Sequence, residues 1–257
     1  MISLLSPTKT LDWKTPAPVD ARRRPRFLEH AAPVSEQLRQ YRVADLAALF
    51  GVSEKTAALA YDRIQSWSTA GHGDNGRPAV FAFSGPVYRS MDPRSFTADE
   101  LAYADERFLI LSGLYGVLSP LDGILPYRLD MGAPLSPPGA KKLVDYWRDA
   151  VTRTVGSAAE RTGSEAVLNL ASKEYVSAVD ADRLPVPLIE CRFEERRGDG
   201  YRQVRNRVKQ ARGLMASFLA RTGVHSVEEA KRFRLDGFRY SPERSDARTL
   251  AFLREGE

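Results

Sequence analysis

The chain has 257 residues, 43% hydrophobic and 9% aromatic, enough apolar material for one packed globular domain and too much for a disordered or fibrous chain. Lys and Arg outnumber Asp and Glu by 38 to 33, a net charge of +5, and no apolar run reaches the roughly 18 residues that a membrane span needs. A single cysteine, Cys191, excludes an internal disulfide, and the opening MISLLSPTKTLDW lacks the cationic start and long apolar run of a secretory signal, so a reducing cytoplasm is expected.

In chain order, MISLLS predicts a short buried strand ended by Pro7. Residues 6–27 are too proline-rich for a helix and too polar for a core, and read as loop. Residues 35–70 are helical by pattern, as SEQLRQY, VADLAALF and SEKTAALAYDRIQSW, the last opened by Ser53 as N-cap. The stretch at about 42–67 resembles a helix-hairpin-helix element. In that reading Gly51, Val52 and Ser53 make the turn. The free N–H groups at the next helix start, with Lys55, hold a DNA phosphate without reading base sequence.

A loop over 71–78 leads to a predicted strand, AVFAFSG. TADELAYADERF opens a helix through Thr97 and Glu100 in capping-box spacing. FLILSG is a buried strand, a helix follows with Leu143, Tyr146, Trp147 and Val151 inward, and AVLNLAS is a further buried strand. VPLIECRFEER and YRQVRNRVKQ flank an Asp-Gly turn and predict a β-hairpin. Period two then places Arg205, Arg207 and Lys209 on one strand face, with Val204 and Val208 on the other. QARGLMASFLAR and SVEEAKRF read as helices, and GFRYSPERSDARTLAFLR as a closing strand pair. With no internal repeat and no linker, the expectation is one mixed α/β (α+β) domain over 1–257, a central mixed sheet surrounded by helices.

The positive charge is clustered. Residues 192–212, RFEERRGDGYRQVRNRVKQAR, hold eight Lys or Arg and three acids, a net of +5 that equals the whole chain's. Such a surface favours a polyanion: nucleic acid, nucleotide or phosphate. His30, His72 and His225 are far apart in sequence, and neither a zinc spacing nor a phosphate- or dinucleotide-binding glycine loop occurs. Cys191 lies mid-strand without an activating neighbour. No metal or cofactor is expected, and catalysis, if there is any, must use carboxylates, Tyr, Lys and Arg.

Residues 111–132, LSGLYGVLSPLDGILPYRLDMG, set five glycines and prolines among apolar residues before the closing Gly132. Buried irregular backbone must find partners for its N–H and C=O groups. The segment is either a tight crossing of the core or a site wall presenting Tyr115, Asp122, Tyr127, Arg128 and Asp130. Polar clusters also end other apolar strands (SPTKTLD, FSGPVY, LASKEY), and KQARG opens a helix. Strand ends and helix starts are where rigid scaffold meets open surface. Lys9, Asp12, Tyr115, Asp122, Arg128, Glu174, Tyr175, Lys209 and Arg212 are therefore expected to converge on one positive pocket containing at least one carboxylate.

At these motifs the chain resembles the YaaA family of bacterial proteins associated with peroxide stress. The resemblance runs through SPTKTLD (6–12, family form SPAKTLD), GPVY (85–88), LSGLYGVLSPLD with PYRLDMG, NLASKEY (169–175), KQARGLM (209–215) and GFRY (237–240). The chain departs from the family pattern at Pro86, where Asp is frequent, and at Lys173, where an acid or amide is usual. The resemblance implies a single mixed α/β domain with a helix-hairpin-helix element and a positively charged cleft. It also implies DNA binding, and a role in limiting free iron and oxidative damage under hydrogen peroxide.

Two functions fit these residues. One is a non-catalytic, monomeric protein binding duplex or distorted DNA through Gly51, Val52, Ser53, Lys55, Arg205 and Arg207. The other is an enzyme acting on a nucleotide, nucleoside or nucleobase, for example by cleaving an N-glycosidic bond. There Lys9, Asp12, Arg128, Tyr175, Lys209 and Arg212 hold the ligand, while Glu174, Asp122, Lys9 and Tyr115 serve catalysis.

Overall fold

The computed structural model describes residues 1–72 and 75–256, so positions 73 and 74 of the expected 71–78 loop and the final residue lie outside the described residues. The strands are β1 (Ile2–Leu5), β2 (Arg77–Pro78), β3 (Phe108–Ser112), β4 (Gly116–Leu118), β5 (Gly123–Ile124), β6 (Val167–Asn169), β7 (Leu188–Arg197), β8 (Gly200–Arg202), β9 (Arg239–Tyr240) and β10 (Thr249–Arg254). The helices are α1 (Leu28–Arg39), α2 (Val43–Phe50), α3 (Glu54–Ser66), α4 (Ala79–Ala82), α5 (Pro86–Met91), α6 (Ala98–Arg107), α7 (Leu143–Arg161), α8 (Lys173–Val176), α9 (Arg205–Thr222) and α10 (Val227–Ala230).

The main sheet has the order β4-β3-β1-β6-β7-β10-β9, with β8 also paired to β7. Its five inner strands, β3, β1, β6, β7 and β10, are mutually parallel, and β4, β8 and β9 join antiparallel. Parallel strands covered on both faces need unbroken apolar runs, which is why ISLL, FLILS and VLN are buried at every position. The chain leaves β1 for β3 on one side, whereas it leaves β6 for β7 and β10 on the other. The crevice at the carboxyl ends of β1 and β6 is therefore a topological switch point, where connections diverge and a ligand can enter. One α/β domain with a mixed sheet results, as expected.

Three local expectations are corrected. AVFAFSG is not a strand: Arg77–Pro78, just before it, pairs with β5, Ala79–Ala82 forms one helical turn, every residue of it buried, and Phe83 makes a single bridge to Leu11. The first helix begins at Leu28, not near residue 35; its inward residues Leu28, Ala31, Val34 and Leu38 keep helical spacing through Pro33. YRQVRNRVKQ is mostly helix. β8 stops at Arg202, and Arg205 opens α9. The Val204–Val208 alternation suggested a strand, but the buried set Val208, Ala211, Met215 and Leu219 recurs every three or four residues, which is a helix period. Helices α2 and α3 are present as expected, joined by Gly51 at φ +59° and by Val52 and Ser53, whose hydroxyl accepts the Thr56 N–H.

The segment after β3 crosses the core, and its backbone is satisfied by strand pairing, by backbone contacts with flanking loops and by side chains. Trp147 Nε1 donates to the Gly113 carbonyl at 2.8 Å, the Tyr115 N–H reaches Ser112 Oγ at 3.0 Å, and the Leu125 N–H reaches the Tyr115 hydroxyl at 3.1 Å. Asp122 Oδ2 accepts the Ser119 N–H at 2.8 Å, and Asp105 Oδ1 accepts that of Leu121 at 2.9 Å. Arg23 closes the set, donating to Asp122 and, through a two-pronged contact, to Asp105. Burial pushes the Asp122 carboxyl up to about 6, against the pull of the Ser119 N–H and of Arg23.

Helix α9 packs on β7 and lies closely along α5. A methyl group at Gly213 would overlap the Val87 carbonyl oxygen and come within 2.9 Å of Ser90 Cβ, so only glycine allows this spacing. Gly213→Ala is expected to destabilise the fold by about 1–3 kcal/mol through overpacking, although alanine favours an isolated helix by about 1 kcal/mol. Denaturant unfolding of the variant checks this, and a stability equal to or above the parent's would refute the close contact.

Candidate functional site

A pocket of about 650 Å³ opens at the switch point. Its wall comes from the loop after β1 (Ser6 to Thr10), the start of α5 (Gly85 to Val87), Asp130, the turn after β6 with α8, and the first turns of α9. A wider, shallower depression of about 900 Å³ runs between 236–243 and 253–255. It draws on neighbouring strands at one sheet edge and gathers no comparable set of side chains.

Five cations line the pocket, Lys9, Lys173, Arg205, Lys209 and Arg212, against two carboxylates, Asp130 and Glu174. Arg205, Val208, Lys209 and Arg212 are spaced i, i+3, i+4 and i+7, so one face of α9 supplies them all. The first turn of α9 carries no acid, and Val204 provides no side-chain cap. The N-terminal N–H groups and the positive end of an 18-residue helix thus add to the field. Burial lowers the pKa of the Arg212 guanidinium, and its buried Nε has no hydrogen-bond partner.

The carboxylates are held in place. Asp130 accepts from Lys9 Nζ at 2.7 Å and from the Tyr175 hydroxyl at 3.2 Å. Burial, reinforced by Asp130, raises the Tyr175 phenol well above its ordinary pKa, so it remains a donor. Glu174 accepts the Gly132 N–H on one oxygen at 3.0 Å. Ser6 joins the two strand ends: its Oγ accepts the Ser172 N–H at 2.9 Å, and its carbonyl accepts from Tyr88 at 3.0 Å.

Of the residues expected to converge, Lys9, Glu174, Tyr175, Lys209 and Arg212 do, together with Arg205. Four do not line the pocket. Tyr115 is fully buried, its hydroxyl bonded to Trp67, His72 and Leu125. Asp122 is engaged by Ser119 and Arg23. The Arg128 guanidinium sits 5.9 Å from the Phe50 ring, on α2. Asp12 caps its own turn, taking the Lys14 and Thr15 N–H groups at 3.0 Å each. Those bonds, Thr15's first, hold its carboxyl at about 2. Arg207 leaves the α9 pocket face for Glu195, 3.6 Å away. Gly51, Val52, Ser53 and Lys55 belong to the α2–α3 turn and do not line the pocket either.

Sequence reasoning assigned no site role to Lys173, Thr8 or Gly85, and it placed Asp130 on the possible site wall without including it among the residues expected to converge. Asp130 shares a motif with Arg128, and only the path of the backbone decides which of them reaches the pocket. Thr8 packs directly on Gly85: a methyl group there would overlap Thr8 Oγ1 and lie 2.8 Å from its Cβ. Gly85→Ala is therefore expected to displace the loop that carries Lys9. Hydrogen exchange of the amides at 8–10 should accelerate by about tenfold or more while β1 and β6 stay protected. Unchanged exchange would show that this contact does not hold the loop.

Comparison with known proteins agrees with the motifs. The family described as peroxide stress protein YaaA matches residues 1–244. A UPF0246 protein of Hahella chejuensis is 40% identical over 255 residues, covering 99% of this chain and 100% of the relative. One from Shewanella baltica is 40% identical over 255 residues and 99% of both chains, and one from Dinoroseobacter shibae is 39% identical over 254 residues, 99% of this chain and 95% of the relative. Every segment that lines the pocket falls within the matched span. The chain belongs to the peroxide stress protein YaaA family.

Proposed function

We propose that the protein exercises the role in peroxide stress that its family membership supports by binding DNA, with a phosphate of the partner held in the pocket at the switch point. The observation that carries this reading is the convergence of five cations, from three separate segments, on a site with only two carboxylates. Arg205 and Lys209 are exposed on α9 and positioned for phosphate oxygens. In this reading a monomer that occupies DNA limits oxidative damage by covering the strand it binds.

The α2–α3 turn is a secondary contact at most. Residues 42–67 carry Arg42, Lys55 and Arg63 against Asp45, Glu54 and Asp62, so the element has no net charge, and Arg42 is already bonded to Asp45. What it offers DNA is the N-terminal N–H groups beside Ser53. The pocket and the α9 face supply the field.

Each neutralised phosphate contributes about 0.9 to the slope of log affinity against log salt. Arg205→Glu with Lys209→Glu should weaken binding of labelled duplex sharply and reduce the salt slope by about 2. Binding that is absent in the parent protein, or indifferent to salt, would sink the proposal.

A second reading is favoured by one feature. Asp130 links Lys9 to Tyr175, and one oxygen of Glu174 is fixed by the Gly132 N–H, which leaves the other for proton transfer. That arrangement suits chemistry on a nucleotide, nucleoside or nucleobase, including N-glycosidic cleavage, whose transition state gains positive charge beside a carboxylate. Glu174 takes the acid–base role here; Tyr115 and Asp122 are committed to the core. Incubation with nucleotides and with damaged DNA should then release free base, and Glu174→Gln should lower the rate about 100-fold or more. No released base from any of these substrates removes the enzymatic reading.

A further inference from the structure

We infer that the pocket takes one nucleotide bearing a terminal phosphate, so that on DNA it engages a phosphate-ended strand terminus and not the interior of a duplex. The inference deepens the DNA-binding reading above and rests on it. Three observations carry it.

The first is size. At about 650 Å³ the pocket falls within the range of small-molecule sites, about 300–1,000 Å³. A duplex cannot enter: its major groove alone is about 12 Å wide. A phosphate in the middle of a strand is flanked by sugars on both sides, whereas a terminal phosphate can go in first.

The second is charge. Lys9 is paired with Asp130, yet Lys173, Arg205, Lys209 and Arg212 still face one carboxylate, Glu174, and the lining stays three charges positive. An internal phosphodiester brings one negative charge. A phosphomonoester brings about 1.5 to 2 near pH 7 and matches the lining better.

The third is the distribution of partners. Arg212, the least exposed of the five cations, forms the inner cationic wall. Asp130 and Glu174 stand on different segments, with Ser6 and Ser172 beside them. An anionic end with hydroxyl or amino donors behind it fits that division, which a bare phosphate ion does not use. The reaction class that supplies such a ligand is oxidative strand scission, because loss of a deoxyribose leaves phosphate on the broken ends.

The test compares four DNA probes of one sequence: a covalently closed circle, and linear duplexes ending in hydroxyl, 5′-phosphate or 3′-phosphate. A nucleoside monophosphate and its nucleoside serve as competitors. One phosphate-ended duplex should bind about tenfold tighter than the hydroxyl-ended one, and the monophosphate, not the nucleoside, should displace it. Arg212→Lys, which keeps the charge but loses the fork, and Lys209→Ala, at an exposed position, should each abolish the preference, with unfolding midpoints confirming that both fold. Equal binding to the closed circle and to every linear probe overturns the inference and leaves DNA binding standing. Binding of the monophosphate without DNA supports the pocket's ligand class, makes the free nucleotide its source and overturns the DNA reading. Binding of none of the probes overturns both.

Discussion

The constraint on which the structure depends is that an apolar, turn-rich segment can lie inside a protein only if its backbone finds hydrogen-bond partners. Residues 111–132 meet it with strand pairing and with partners from inside and outside the segment. Trp147 comes from α7 and Asp105 from α6, the Arg23 carbonyl in the proline-rich loop takes the Gly123 N–H, and Ser112, Tyr115 and Asp122 serve the segment from within. These partners hold distant pieces of chain against one another. An unsatisfied buried amide costs about 1–3 kcal/mol, so losing any one of them would be felt well beyond its own contact.

The same accounting leads to the pocket. Once the segment leaves the core, its last amide, that of Gly132, is taken by Glu174 from the turn after β6. Two residues earlier Asp130 turns to Lys9 in the loop after β1. The segment thus ends by bridging the two strand ends between which the sheet's connections diverge. A ligand site forms there because two demands coincide: backbone that must be satisfied, and a crevice that no connection covers. The acids are held by the scaffold, whereas the α9 cations are held mainly by packing of the helix itself.

Much of this was legible in the sequence, for identifiable reasons. Unbroken apolar runs marked β1, β3 and β6, and capping-box spacing marked the start of α6. The polar clusters after β1 and β6 pointed to Lys9, Glu174 and Tyr175, and the KQARG cluster at a helix start pointed to Lys209 and Arg212. What was not legible turned on direction and period. Within PYRLDMG, Arg128 and Asp130 lie two residues apart, yet one rests over Phe50 and the other reaches the pocket. Tyr115 and Asp122 looked like site residues because polar groups in an apolar stretch need a purpose; their purpose is to satisfy backbone. The basic stretch was read with a strand's period because Val204 and Val208 are β-branched and four apart, a spacing that fits both periods.

That last difference changes the chemistry. On a strand, Arg205, Arg207 and Lys209 would form a flat basic ribbon suited to a long backbone. On a helix, Arg207 turns away to Glu195, and Arg205, Lys209 and Arg212 align down one face into a recess. Arg212, the innermost, is the least exposed of the pocket's five cations. Burial lowers its pKa, and the charge of Glu190 only partly offsets that. A strand-like surface would bind a polyanion anywhere along its length with equal ease. A cation held in reserve at the inner end of a helical face binds well only an anion that can reach it, so the helix period turns general attraction for phosphate into selection by shape.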